Sequence, residues 1–125
     1  MHLLELYSLK DEHKNQYWIS KKEAESIFDQ VNDKKPFVTV ARLSIAINPR
    51  EIKSFGVPKY ISDMTDQGFE VLISKRSKSP YLQFEDGYQR CIDGVWEQKM
   101  STRYDKIDGL TFDDFIKSEE VKRLN

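Results

Sequence analysis

Hydrophobic spacing along this chain switches repeatedly between strand-like and helix-like periods, and each switch marks a new element. His2 to Leu9 alternates loosely and predicts a first strand. A polar stretch, Lys10 to Asn15, then turns it into a short strand at Gln16 to Ile19. Ser20 and Glu23 have the spacing of a capping box, in which each side chain satisfies the other residue's free backbone N–H. Ala24, Ile27, Phe28 and Val31 follow at i, i+3, i+4 and i+7, the apolar face of a surface helix that ends between Asn32 and Pro36. Phe37 to Ile47 is the longest apolar and β-branched run, and its two-sided character predicts a single central strand. Asn48-Pro49 reads as an N-cap with proline at the first helical position of a short turn, after which Ile52 and Phe55 fold back onto the sheet. Pro58 opens a short middle helix with Tyr60, Ile61 and Met64 inward and Gly68 as its stop.

From Phe69 the period becomes two. Glu70 to Lys75, Tyr81 to Phe84, Tyr88 to Ile92 and Val95 to Met100 read as four strands of an antiparallel meander, with Asp93-Gly94 as a hairpin turn. Ser101 to Gly109 is the one loose segment. Thr111 with Asp114 repeats the capping pattern, and a C-terminal helix runs from Phe112 to Leu124. The expected fold is α+β: an antiparallel sheet, a meander in its C-terminal half, packed with an N-terminal helix, a short middle helix and a C-terminal helix. At 125 residues, 1–125 is expected to be a single domain with a core large enough to stand without metal or disulfide staples.

Composition narrows the function classes. Lysine and arginine number 20 against 21 acidic residues, so no global field draws the chain to nucleic acid or to an anionic membrane. From the lone Cys91 and an N-terminus without a secretory pattern a soluble, cytoplasmic protein is expected, and no apolar run approaches a membrane span. Histidine occurs only at positions 2 and 13, so a Cys/His metal cluster cannot be built within one chain, an Asp/Glu-rich site staying open; no metal or other cofactor is expected. Cys91 sits in a strand beside Arg90, which points to the opposite face, and reads as a small buried hydrophobe rather than a nucleophile. The acidic pairs Glu85/Asp86, Asp105/Asp108 and Asp113/Asp114 fall in turns and at a helix start, where acids suit turn geometry and the helix dipole. No catalytic set emerges, and the chain is expected not to be an enzyme.

Two surfaces are candidates for binding. Lys75, Arg76 and Lys78 form the one positive cluster, in a hairpin loop; beside Tyr81, Tyr88 and Trp96 it could hold a nucleic-acid backbone and stack bases. The plainer account is a solvated turn. Tyr81, Tyr88, Arg90 and Trp96 are the expected anchors for a protein partner, provided that they are exposed, since interfaces depend on a few Tyr, Trp and Arg side chains.

The strand-then-turn run FVTVARLSIAINPREIKSF, the Lys/Glu/Asp/Ile-rich composition and the closing TFDDFIKSEEVKRLN together resemble the small accessory proteins of phages and prophages of Gram-positive bacteria. The likeness is one of composition more than of motif, matches no specific family, and transfers no functional residue. It implies a non-enzymatic accessory protein that binds a host or competing protein, a nucleoprotein complex included. Inhibition of a defence system such as a CRISPR nuclease is among the activities it implies. The alternative expectation is a small nucleic-acid-binding module built on the Lys75–Lys78 loop.

Overall fold

The computed structural model describes residues 1–7, 15–101 and 109–124, with side chains up to residue 120. The fold is α+β: the described residues form three α-helices and antiparallel sheets, with a meander in the C-terminal half. The chain divides into two compact units, one built on Met1–Pro58 and the other on Lys59–Lys122. Among the described residues no helix is long and apolar enough to cross a membrane.

In the first unit, β1 (His2–Leu6) lies between β2 (Gln16–Ile19) and β5 (Ile52–Ser54) in a three-stranded antiparallel sheet. Helix α1 (Lys21–Asn32) starts as its sequence dictates. Ser20 Oγ accepts the Glu23 N–H at 3.1 Å, and Glu23 Oε1 accepts the Ser20 N–H at 2.9 Å. The same Glu23 carboxylate receives Arg42 Nε at 2.9 Å, while an Arg42 terminal nitrogen donates to the Trp18 carbonyl at 2.7 Å. One acidic side chain thus ties the helix start to a loop 19 residues away. The helix buries Ala24 and Ile27 but leaves Phe28 and Val31 exposed, so its apolar stripe is only half used inward.

Phe37 to Ile47 is not one central strand. It forms a two-stranded hairpin, β3 (Val38–Val40) against β4 (Ile45–Ile47), around a 3₁₀ turn at Ala41–Leu43. Ser44 takes a left-handed conformation (φ 53°) and reverses the chain, a role sequence assigns readily to Gly or Asn but not to Ser. The turn delivers Arg42 to Glu23, a tertiary reward that strand propensity cannot anticipate. Asn48 caps the next turn as expected, its Oδ1 accepting the Arg50 N–H at 3.0 Å. The segment after it pairs with β1 as a strand, β5, where only a fold-back was expected. Leu4, Ile19, Ala24, Ile27, Val38, Val40 and Ile47 close the core of this unit.

The second unit opens with α2 (Lys59–Asp66), which buries Ile61. It ends in a Schellman motif: the Phe69 N–H reaches the Met64 carbonyl and the Gly68 N–H the Thr65 carbonyl. The meander follows as β6 (Leu72–Ser74), β7 (Pro80–Gln83) and β8 (Gly87–Ile92). The run expected as one last strand is split into β9 (Val95–Trp96) and β10 (Met100–Ser101), both paired with β8. Between Arg90/Glu97 and Tyr88/Met100 the β9–β10 segment carries one residue more than β8, the signature of a bulge. A strand not foreseen, β11 (Gly109–Leu110), completes the far edge against β6. The C-terminal helix α3 (Phe112–Leu124) begins with Thr111 Oγ1 accepting the Asp114 N–H at 3.2 Å, and buries Phe115 and Ile116.

Candidate functional site: the exposed face of the β8 hairpin

Side chains on a strand alternate between faces, and directly paired residues share one. The meander's registers therefore sort its residues without ambiguity. Ile73, Leu82, Cys91 and Trp96 fall on one face, through the pairs Ile73↔Pro80, Leu82↔Gln89 and Cys91↔Trp96. Ile73, Leu82 and Cys91 are buried there. Tyr81, Gln83, Tyr88, Arg90, Ile92, Val95 and Met100 fall on the other, through Tyr81↔Arg90, Gln83↔Tyr88, Ile92↔Val95 and Met100↔Tyr88.

This arrangement separates the four expected anchors. Tyr81 is 2% exposed, a core residue rather than an interface residue. Its phenol lies against the α-carbon position of Gly109, where any added Cβ would collide with it. Trp96 stands on the buried face, half-exposed, and its indole N–H already donates to the Tyr60 carbonyl of α2 at 2.9 Å. Tyr81 is thus closed to a partner, while Trp96 has its one donor engaged within the unit. Tyr88 and Arg90 do share an outward face. Tyr88 is half-buried, and Arg90 is exposed and ion-paired with Glu97 at 3.1 Å.

What sequence reasoning missed is the company these two keep. Ile92 is 42% exposed, Val95 65% and Met100 46%. Together they form three cross-strand rows: Tyr88 with Met100, Arg90 with Glu97, and Ile92 with Val95. The tight turn Asp93-Gly94, both residues left-handed at φ 51° and 79°, fixes the last row at the hairpin end. An apolar pair thus stands on each side of an ion pair. The signal was present in sequence as Tyr88-x-Arg90-x-Ile92, a period of two that assigns Ile92 to the face of Arg90.

The basic loop is a compact hairpin connection between β6 and β7. The Lys78 N–H donates to the Ser74 carbonyl at 2.9 Å, with Lys78 left-handed at φ 56°, and the Ser74 N–H donates to the Ser79 carbonyl. Lys75, Arg76 and Lys78 are all exposed. Lys78 Nζ meets Glu119 of α3 at 3.4 Å, so part of the loop's positive charge is already answered within the unit.

The remaining chemistry is sparse. Burial pushes the Cys91 thiol up to about 11, which keeps it protonated and unreactive near neutral pH. Hydrogen bonding to Lys99 holds the Asp86 carboxyl below its ordinary range, and Lys99 also stands 5.0 Å over the Phe84 ring. Among the described residues no three His, Cys, Asp or Glu side chains converge on a common point. His13, Asp105 and Asp108 lie outside the described residues.

His2 proves less ordinary than its position in sequence suggests. It lines a groove of about 420 Å³ in the first unit with Lys21, Ala24, Glu25, Phe28, Asp29, Phe55 and Gly56. Partial burial, the terminal ammonium and Lys21 lower its pKa, Glu25 opposes them, and its Nδ1 is shielded from water without a hydrogen-bond partner.

No family model, curated protein or solved structure matches this chain.

Proposed function

We propose that this is a non-enzymatic accessory protein that works by covering a surface on a macromolecular partner, with the outward face of the β8 hairpin as its contact. The observation that carries this reading is the row arrangement: two apolar pairs, half-buried Tyr88 with exposed Met100 and exposed Ile92 with exposed Val95, flank Arg90–Glu97 on one face. Contiguous exposed apolar side chains mark interaction sites more often than chance scatter does, and aromatic, Met and Arg residues are the types enriched in interfaces. A partner that buries this face would remove the apolar rows from water and could exchange contacts with the central ion pair. The compositional likeness to phage accessory proteins supports a host or competing protein as that partner, with a component of a defence system in the range of targets.

The test is affinity capture from bacterial lysate with three baits: the wild-type chain, Val95→Asp, and Lys75→Glu/Arg76→Glu. Val95 and both basic residues are exposed, so the baits keep the fold, which a thermal melt verifies. The expected outcome is a stoichiometric protein band that survives nuclease, is lost with Val95→Asp and is kept with the loop variant. A band or nucleic acid that depends on Lys75 and Arg76 and disappears on nuclease treatment would transfer the function to the basic loop. Retention of the same band by Val95→Asp would remove the hairpin face from the account.

A further inference from the structure

The groove in the first unit is independent of the hairpin face and has a different chemistry. One wall is helix α1. Lys21, Glu25 and Asp29 stand four residues apart along it, and Ala24 and Phe28 form the adjoining row. The opposite side is built from His2 of β1 and from Phe55 and Gly56, which follow β5. Two aromatic rings therefore line an open groove whose helical wall carries two carboxylates and Lys21, with the terminal ammonium acting on His2 from the other side and His2 biased toward its neutral form.

Glu25 and Asp29 are both exposed, and neither carboxylate enters a hydrogen bond or an ion pair among the described residues. That distinguishes them from Glu23 on the same helix, which is consumed by Ser20 and Arg42. Phe28 is 55% exposed although it stands one turn from buried Ala24, so its ring is presented to solvent at the groove rather than packed away. Carboxylates one turn apart beside an exposed ring are complementary to a planar cation. A guanidinium stacks on an aromatic face and donates to carboxylates at the same time, which an ammonium does less well.

From the cavity, its rings and its unanswered carboxylates we propose that this groove binds an arginine side chain presented by an extended peptide segment of a partner protein. The guanidinium lies over Phe28 between Glu25 and Asp29, and the apolar neighbours of the arginine contact Ala24 and Phe55. Lys21 sits at the opposite end of the row and disfavours a second cation there, which sets the direction in which a basic peptide lies.

The probe is the peptide acetyl-Gly-Leu-Arg-Leu-Gly-amide, titrated into the ¹⁵N-labelled full chain. Two control peptides replace its arginine with citrulline, a neutral isostere, or with glutamate. The expected result is saturable shifts of the amides of residues 21–29 and 55–56 with the arginine peptide. Binding should fall about tenfold with citrulline or with the Glu25→Gln/Asp29→Asn variant, the scale of two exposed charge contacts, and should weaken with added salt. Phe28→Ala should weaken the arginine peptide more than the citrulline peptide. Absence of saturable shifts, equal binding of the citrulline peptide, undiminished binding to Glu25→Gln/Asp29→Asn, or preference for the glutamate peptide would each overturn the proposal.

Discussion

Tyr81 and Gly109 set each other's identity. The Tyr81 phenol occupies the space a side chain at position 109 would need, and the pair joins β7 to β11 across β6. Tyr81 is therefore a structural residue despite belonging to a type favoured at interfaces. Gly109→Ala forces the ring out of a buried site and should cost about 1–3 kcal/mol, the usual range for overpacking. Tyr81→Ala should cost about 3–5 kcal/mol, as large-to-small core changes of aromatics do. Urea unfolding reads both. A Tyr81→Ala chain with unchanged midpoint would show that the ring is not core. The same scale separates Trp96 from Tyr88: each is a half-buried aromatic, but Trp96 spends its donor on Tyr60 while Tyr88 faces outward beside Met100.

At the scale of elements, much was legible wherever local chemistry decides. The Ser20/Glu23 box, the Asn48 cap, the Gly68 stop and the Asp93-Gly94 turn all form as their residues predict. What could not be read were features fixed by distant partners. Ser44 reverses the Phe37–Ile47 run because the turn places Arg42 on Glu23, and β11 exists because β6 offers it an edge. Arg42 is nearly buried, so Arg42→Ala removes the cation facing the Glu23 carboxylate, leaves it only its bond from the Ser20 N–H, and should destabilise the first unit by about 3 kcal/mol. Ser20→Ala, which removes only one cap bond, should cost about 1 kcal/mol. Equal losses in the two variants, measured by denaturant unfolding, would mean that Arg42 contributes nothing beyond the cap. Gln30 is a further long-range device: its side-chain amide donates to the Thr39 carbonyl at 3.0 Å and accepts the Thr39 N–H at 2.9 Å, closing part of the outer edge of β3.

Across the whole molecule, the α+β class and the order of the helices and the meander followed from periodicity. The candidate site was only partly legible. Tyr88 and Arg90 stand on the outward face as an interface would require; Tyr81 shares that face by register but is buried against Gly109, and Trp96 stands on the opposite face, because register decides faces and depends on the turn and on the bulge between β9 and β10. Ile92, Val95 and Met100, which give the face its apolar character, carry no signal by residue type alone. The proposed function resides on that face. Its most direct test is amide hydrogen exchange of the full chain, free and saturated with its captured partner. Slowed exchange is expected to concentrate in residues 88–100, with residues 74–79 unchanged. Protection confined to 74–79, or spread elsewhere with 88–100 exchanging as in the free chain, would contradict it.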